Sequence, residues 1–228
     1  VVAAFRAKEL FQANVPADTV ANFKSQNAGA QEYRTPSPGV GIVAMNNRRK
    51  PYDDVRVRQA IAYACDIPGW IQAIVGGQGF LTGPIAPPFT NWALQESALK
   101  YHAQNLTEAK KLLDAAAIAP SSITVKSLSI GNVPTYIATA VQMQADLKQL
   151  GIDVQIEPGT QTDYTSRLFV TKEFDVVNGQ DFSPDDPDRL YDRMHSKGSG
   201  NYSGFANAEV DSLLQQQRET LDLTTRKD

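Results

Sequence analysis

Between Asp53 and Asp66 the apolar positions fall at Val57, Ala60, Ile61 and Ala64, the i, i+3, i+4, i+7 spacing of one buried helical face, with Arg56, Arg58 and Gln59 off that face. The Asp53–Asp54 pair predicts the start of this helix, because aspartate accepts hydrogen bonds from first-turn N–H groups and suits the positive end of the dipole. Asp66 followed by Pro68 predicts a second, shorter helix carrying Trp70, Ile71, Ile74 and Val75, stopped at Gly76–Gly77. The same spacing predicts a helix over 1–11 (Ala4, Phe5, Leu10, Phe11) and one opening at Pro16–Ala17–Asp18 with Val20 and Phe23, ended by Gly29. Thr107 is expected to cap a helix with Ala109, Leu112, Leu113 and Ala116. Pro134 opens a long one with its seam at Tyr136, Ala140, Met143, Leu147 and Leu150, closed by Gly151. Thr162 is expected to cap a helix with Tyr164, Leu168 and Phe169. The last begins near Asn207 and carries Val210, Leu213, Leu214 and Gln217.

Four stretches read as strands. Val40 to Asn46 is apolar on both faces and is expected to be central. In Ser122 to Ile130 the alternation breaks near Ser127, which suggests a bulge. Ile152, Val154 and Ile156 alternate with Asp153, Gln155 and Glu157, a one-sided strand. Phe174 to Val177 is a short strand, and Gln31 to Thr35 is a weaker candidate broken by Pro36–Gly39. Strand, long helix and strand over 122–156 form a βαβ unit with a right-handed crossover. Gly76 to Pro88 carries Gly76, Gly77, Gly79, Gly83, Pro84, Pro87 and Pro88, which precludes regular structure, and 92–102 reads ambiguously. The pattern as a whole is α/β, a mixed sheet flanked by helices.

The chain's 228 residues are ample for a buried core, and 42% hydrophobic with 21% charged residues is globular composition. A net charge of −3 excludes a surface that is basic throughout, so no nucleic-acid partner is expected, and Arg48–Arg49–Lys50 reads as a solvated turn. The single cysteine, Cys65, permits no intrachain disulfide and reads as a small buried hydrophobe. No apolar run approaches the length of a membrane span. The first residues fall inside a helical pattern without an initiator Met, so the chain is expected to be a piece of a longer protein.

Candidate chemistry is sparse. His102 and His195 have neither a HExxH frame nor a cysteine partner, and His195–Ser196 lacks a Gly-x-Ser-x-Gly elbow, so no catalytic residue, metal or cofactor is assigned. The glycines of 76–88 fit neither a P-loop nor a dinucleotide fingerprint; that loop reads as a rigid surface connection. The sharper candidate is 181–192, DFSPDDPDRLYD, which crowds Asp181, Asp185, Asp186, Asp188 and Asp192 together. Its spacing is partly that of a calcium loop, but Asp186 stands where that loop needs glycine, and Pro187 follows. Two readings stay open: Asp186 or Asp188 caps a helix over Arg189–His195 with the other acids solvated, or the stretch meets a cation or ligand.

The order Asn46, Pro51–Tyr52–Asp53–Asp54, Val55–Arg56–Val57–Arg58–Gln59–Ala60, Asp66 resembles the signature of the extracytoplasmic solute-binding proteins of the peptide/nickel ABC-importer family, family 5. The passage Leu147 to Val154 and the Asp186–Pro187–Asp188 turn are similar too. The resemblance implies one lobe of a periplasmic-binding-protein-like (type II) two-lobed fold. Residues 1–228 then form a single domain, the second lobe, with 1–39 and 221–228 near the lobe junction. It further implies a monomer, periplasmic or lipoprotein-anchored at the cell surface. Such a protein captures a peptide or other small solute and hands it to ABC permease subunits. Peptide-binding members place an aspartate four residues before the proline, with a tryptophan three residues before that aspartate. Those positions are Ser183 and Gln180 here, and an arginine expected for the ligand carboxylate falls near Ile130. The ionic clamp is therefore not reproduced residue for residue, and two readings stay open: Asp181 or Asp185 supplies the counter-charge if the loop bends differently, or the ligand has no free ammonium at that point. The expected ligand-lining residues are Gln180, Asp181, Phe182, Ser183 and Asp185. Nickel chelates, oligosaccharides and opine-like molecules are alternative ligands. A carboxylate-dependent hydrolase and a cation-binding module on 181–192 are alternative functions.

Overall fold

The computed structural model describes residues 2–13, 15, 19–33, 39–87, 91–101, 103–182 and 185–227. Two short helices come first, α1 (Val2–Arg6) and α2 (Val20–Gln26). They lead to strand β1 (Gly39–Met45), the helical pair α3 (Val55–Ala64) and α4 (Ile67–Val75), and α5 (Leu106–Ala115). Strand β2 (Thr124–Ile130), α6 (Pro134–Lys148) and β3 (Asp153–Gly159) follow, then α7 (Gln161–Thr165), which runs into a π-helical turn at Ser166–Thr171. The chain continues through β4 (Val176–Phe182), α8 (Asp188–Met194), α9 (Ala208–Glu219) and α10 (Leu223–Lys227).

The strands form one mixed sheet in the order β1-β4-β2-β3. β2 runs parallel to both β3 and β4, and β1 is antiparallel to β4 with Gly39 opposite Phe182. The expected βαβ unit is present as β2–α6–β3. Helices cover one face. There Val57, Ala60 and Ile61 of α3, Trp70 of α4, Leu113 of α5 and Met143 and Leu147 of α6 pack on Val125, Val154 and Val176. A second cluster on the other face joins Leu128, Ile130 and Val177 to Tyr164, Leu168, Phe174 and Tyr202. Each fully buried Leu, Met or Val here contributes about 1.5–3 kcal/mol of transfer free energy.

The expected α3–α4 pair is present as read. Asp54 accepts a hydrogen bond from the Arg56 amide and Asp66 one from that of Gly69, and left-handed Gly76 (φ 61°) ends α4. Asp146 of α6 fastens the pair to the sheet layer: its buried carboxylate accepts from Trp70 Nε1 at 2.7 Å and from the Asp66 amide at 2.8 Å. Cys65 is buried, and desolvation pushes its thiol well above the ordinary range, which makes it a packing residue.

Several expectations need correction. The first helix stops at Arg6, and Leu10 and Phe11 beyond it are exposed. The Pro16–Asp18 start and residues 34–38, with the end of the Gln31–Thr35 candidate, lie outside the described residues; Gln31–Tyr33 is irregular. β1 is an edge strand among the described residues, not a central one. Its apolar character on both sides has another cause: Val43 and Met45 pack into one cluster, Ile42 and Ala44 into the other. Asn105, not Thr107, caps α5, accepting from the Glu108 amide at 3.0 Å. Thr160, not Thr162, caps α7, accepting from the Asp163 amide at 3.1 Å. β2 has no bulge. Its register with β3 is continuous through Ser127, and Ser127 and Ser129 are buried because the Asn178 amide of β4 donates to their hydroxyls. β4 begins at Val176, not Phe174, and runs on to Phe182. α10 closes the described chain, where no final element was expected.

Candidate functional site

The carboxyl ends of β2, β3 and β4 share one edge of the sheet with the amino end of β1. In open α/β sheets this is where ligands bind, because loops and helix starts converge there. The edge carries Ile130–Val133 leading into α6, Gly159–Thr160 leading into α7, and the end of β4 leading toward α8. The extension of β4 to Phe182 places Gln180, Asp181 and Phe182 on a strand rather than in a loop.

Gln180 is exposed and lies over Gly39, where a Cβ would fall on its amide nitrogen. Asp181 faces the opposite side of the sheet, toward Arg193 of α8. The guanidinium meets it in a fork, Nε to Oδ2 at 3.1 Å and Nη2 to Oδ1 at 3.3 Å. Arg193 Nη1 also donates to Gly200 O at 3.3 Å, and its guanidinium lies 5.8 Å from the Tyr202 ring centre. Burial first, and Asp181 second, push the Tyr202 phenol up to about 12. The Tyr164 hydroxyl, raised mainly by burial, donates to Asn178 O at 3.4 Å beneath the same strand. The Phe182 side chain and Ser183 lie outside the described residues. Asp185 is exposed.

The remaining acids of this stretch turn to separate partners. Asp186 accepts from the Asp188 amide at 2.8 Å and from Arg226 of α10, whose hydrogen bond is the main reason its carboxyl titrates below the usual range. Asp188 meets Arg218 of α9 at 2.6 Å. Asp192 accepts from Ser199 Oγ at 2.6 Å and the Gly200 amide at 3.0 Å, and the Ser199 hydroxyl lowers its pKa most. Carboxylates committed in this way do not converge on one point as a calcium loop requires. Neither aspartate stands at the cap position of α8, which is Pro187; Asp186, one residue before it, accepts from the amide of Asp188, the first helical residue.

The His195–Ser196 neighbours do not assemble a nucleophile. Ser196 Oγ donates to Asp211 at 2.6 Å, while His195 Nδ1 accepts from the Lys197 amide at 3.0 Å and its ring stacks on Tyr191 at 4.2 Å. His102 lies outside the described residues. An open groove of about 540 Å³ separates α4 from the Gly-rich loop, lined by Ile71, Phe80, Leu81 and Leu94 among others. None of its lining residues belongs to the sheet or to α8, so it is distinct from the strand edge. Arg193 and Arg226, which decide which acids are occupied, gave no sequence signal: Arg193 reaches Asp181 only because α8 folds back on β4, and Arg226 lies 40 residues from Asp186.

A family profile described as "Bacterial extracellular solute-binding proteins, family 5 Middle" matches residues 1–202. The chain is 32% identical over 221 residues to the "Probable D,D-dipeptide-binding periplasmic protein DdpA" of Escherichia coli, covering 93% of this chain and 41% of that protein. It is 28% identical over 218 residues to the "Dipeptide-binding protein" of the same organism, covering 92% of this chain and 40% of that protein. Its fold superposes with a TM-score of 0.85, at 21% identity, on the oligopeptide-binding protein AppA of Bacillus subtilis solved with a nonapeptide, covering 99% of this chain and 47% of that one. The chain thus spans somewhat under half the length of the proteins it matches, and with the profile running through both the Asp53–Asp66 signature and the strand edge, it belongs to the family 5 bacterial extracellular solute-binding proteins.

Proposed function

We propose that this chain is one lobe of an extracytoplasmic solute-binding protein that captures peptides and delivers them to the membrane subunits of an ABC importer. The observation that carries this reading is the family match across residues 1–202, together with relatives named as dipeptide-binding. Two lobes close over the solute, and exclusion of water strengthens each polar contact inside. This chain supplies one wall, at the carboxyl edge of β2, β3 and β4. The protein acts as a monomer, forms and breaks no covalent bond, and is periplasmic or anchored by lipid at the cell surface. None of the helices among the described residues is long and apolar enough to cross a membrane.

Gln180, Asp181, Phe182, Ser183 and Asp185 line the wall. The two candidate counter-charges for a peptide ammonium divide on geometry. Asp181 is already neutralised by Arg193, whereas Asp185 stands exposed. Asp185 is therefore the ammonium partner, and Asp181–Arg193 presents a neutral, hydrogen-bonding surface to the rest of the ligand.

Native mass spectrometry of the full-length protein as purified tests the reading by looking for a carried peptide. Calorimetry with L,L- and D,D-dipeptides then measures saturable binding without product. A charged hydrogen bond is worth about 1.5–3 kcal/mol, so Asp185→Asn is expected to weaken dipeptides with a free ammonium by roughly 10- to 100-fold. N-acetylated forms should be unaffected. Turnover of any added peptide, or equal affinity of the isolated 1–228 chain and the whole protein, would overturn the proposal.

A further inference from the structure

Arg226 lies 40 residues along the chain from Asp186, yet its side chain is largely covered, 15% exposed. Its hydrogen bonds go to two carriers. Nη1 donates to Asp186 Oδ2 at 3.0 Å and Nη2 to Asp186 Oδ1, while Nε and Nη2 donate to Gln217 Oε1 at 3.1 and 2.8 Å. The Trp92 ring lies 5.2 Å from the guanidinium carbon. One side chain therefore ties α10 to α9, to the segment after the Gly-rich loop, and to the turn between β4 and α8. On the far side of that tie, Asp186 Oδ1 also accepts from the Asp188 amide, and Pro187 between them is buried. The backbone directly after Asp185 is thus held from two directions.

Such a tie is poorly explained as a source of stability. The Asp186 side chain is 45% exposed, where water screens an ion pair, and ordering a long arginine costs rotamer freedom. A planar fork that meets one carboxylate with two donors fixes direction as well as distance. What it fixes here is the turn that carries Asp185.

We propose that Arg226 is a positioning residue: through Asp186 it holds the turn so that Asp185 is presented to the cationic end of a bound ligand. This rests on the reading of Asp185 given above. It makes α10 part of the recognition apparatus without touching the ligand.

The test uses the full-length protein and calorimetry with the alanyl-alanine dipeptides, L,L and D,D, and their N-acetyl derivatives. Arg226→Gln is expected to weaken the free dipeptide by about tenfold, a loss of about 1.4 kcal/mol, and the N-acetyl form by less than about twofold. Arg226→Lys keeps the charge but not the fork and is expected to fall between Gln and the parent protein. In an Asp185→Asn background, Arg226→Gln should add nothing, because the group it positions is gone. Gln217→Ala removes only one holder of the guanidinium and provides a gentler variant should Arg226→Gln fail to fold; its smaller loss should again be confined to the free dipeptide. Equal losses for free and acetylated ligands, or additive losses in the double variant, would make Arg226 merely structural and overturn the inference while peptide binding stands. Binding of no dipeptide by the parent protein would instead sink the peptide reading, and this inference with it.

Discussion

Asn178 lies in the middle of β4, fully buried, with its amide nitrogen turned to Ser127 and Ser129 on the neighbouring strand. Read alone, Asn178–Gly179–Gln180–Asp181 looks like the end of a strand, and Ser127 looks like a fault in another. The two misreadings have one cause. Polar residues are tolerated in a sheet interior when each finds its partner across the ladder, and that pairing is invisible in a linear pattern. The apolar seam of a long helix leaves less ambiguity, although Leu10, Phe11 and Leu213, also read on helical faces, are exposed. Met143 and Leu147 were placed on the buried seam of the long helix and are fully buried. Met143→Ala is expected to cost about 2–5 kcal/mol in denaturant unfolding. Asp54 offers a test by pH. The Arg56 side chain and amide hold its carboxyl at about 2, against an ordinary 3.8. A depressed folded value means its contribution is complete above the ordinary range and is lost as pH falls from near 3.8 through about 2. Acid unfolding of Asp54→Asn should lack this part of the dependence. Because the Asp54–Arg56 pair is partly exposed, added salt should shrink the difference.

Among the elements, helices with capping residues directly before an apolar stripe were placed correctly. The caps of α5 and α7 each lie two positions before the threonine expected to serve. The Asn105 side chain, accepting from the Glu108 amide, fits the start of α5 better than Thr107 does, since Thr107 already sits in the first turn. Asn105→Ala should cost about 1 kcal/mol, and Thr107→Ala much less; comparing their melting temperatures settles the assignment. The link between α6 and the α3–α4 pair was not legible at all. Asp146 reads as an exposed helix residue, and its role follows from a tryptophan 76 residues away. Asp146→Ala strands the buried Trp70 indole N–H and is expected to destabilise by about 1–3 kcal/mol, with a smaller part from the half-buried Asp66 amide, whereas Asp146→Asn retains an acceptor and should cost less. Near-UV circular dichroism of Trp70 should report the loosening directly.

At the scale of the whole molecule, the fold class, the βαβ unit and the family were all readable, because each rests on order along the chain. The candidate site was readable only in outline. Asp181 and Asp185 were singled out by the crowding of charge, and Gln180 and Ser183 by their place in the family's motif, but which acids are paired depends on Arg193 of α8 and, 40 residues on, Arg226 of α10. Charge complementarity at long sequence separation is decided by packing, and packing is what a pattern of residues leaves unwritten.

β1 has β4 on one side only, among the described residues, so along its outer side the row of backbone N–H and C=O groups from Val40 to Met45 has no neighbouring strand among them. Such a row is a template for another extended segment. Expressed alone, residues 1–228 are therefore expected to self-associate as concentration rises, zipped outer side to outer side. Gly41, exposed and with open space where a side chain would begin, is the place to interrupt this. Gly41→Lys should keep the isolated chain monomeric in sedimentation velocity runs where the parent chain sediments faster with increasing load.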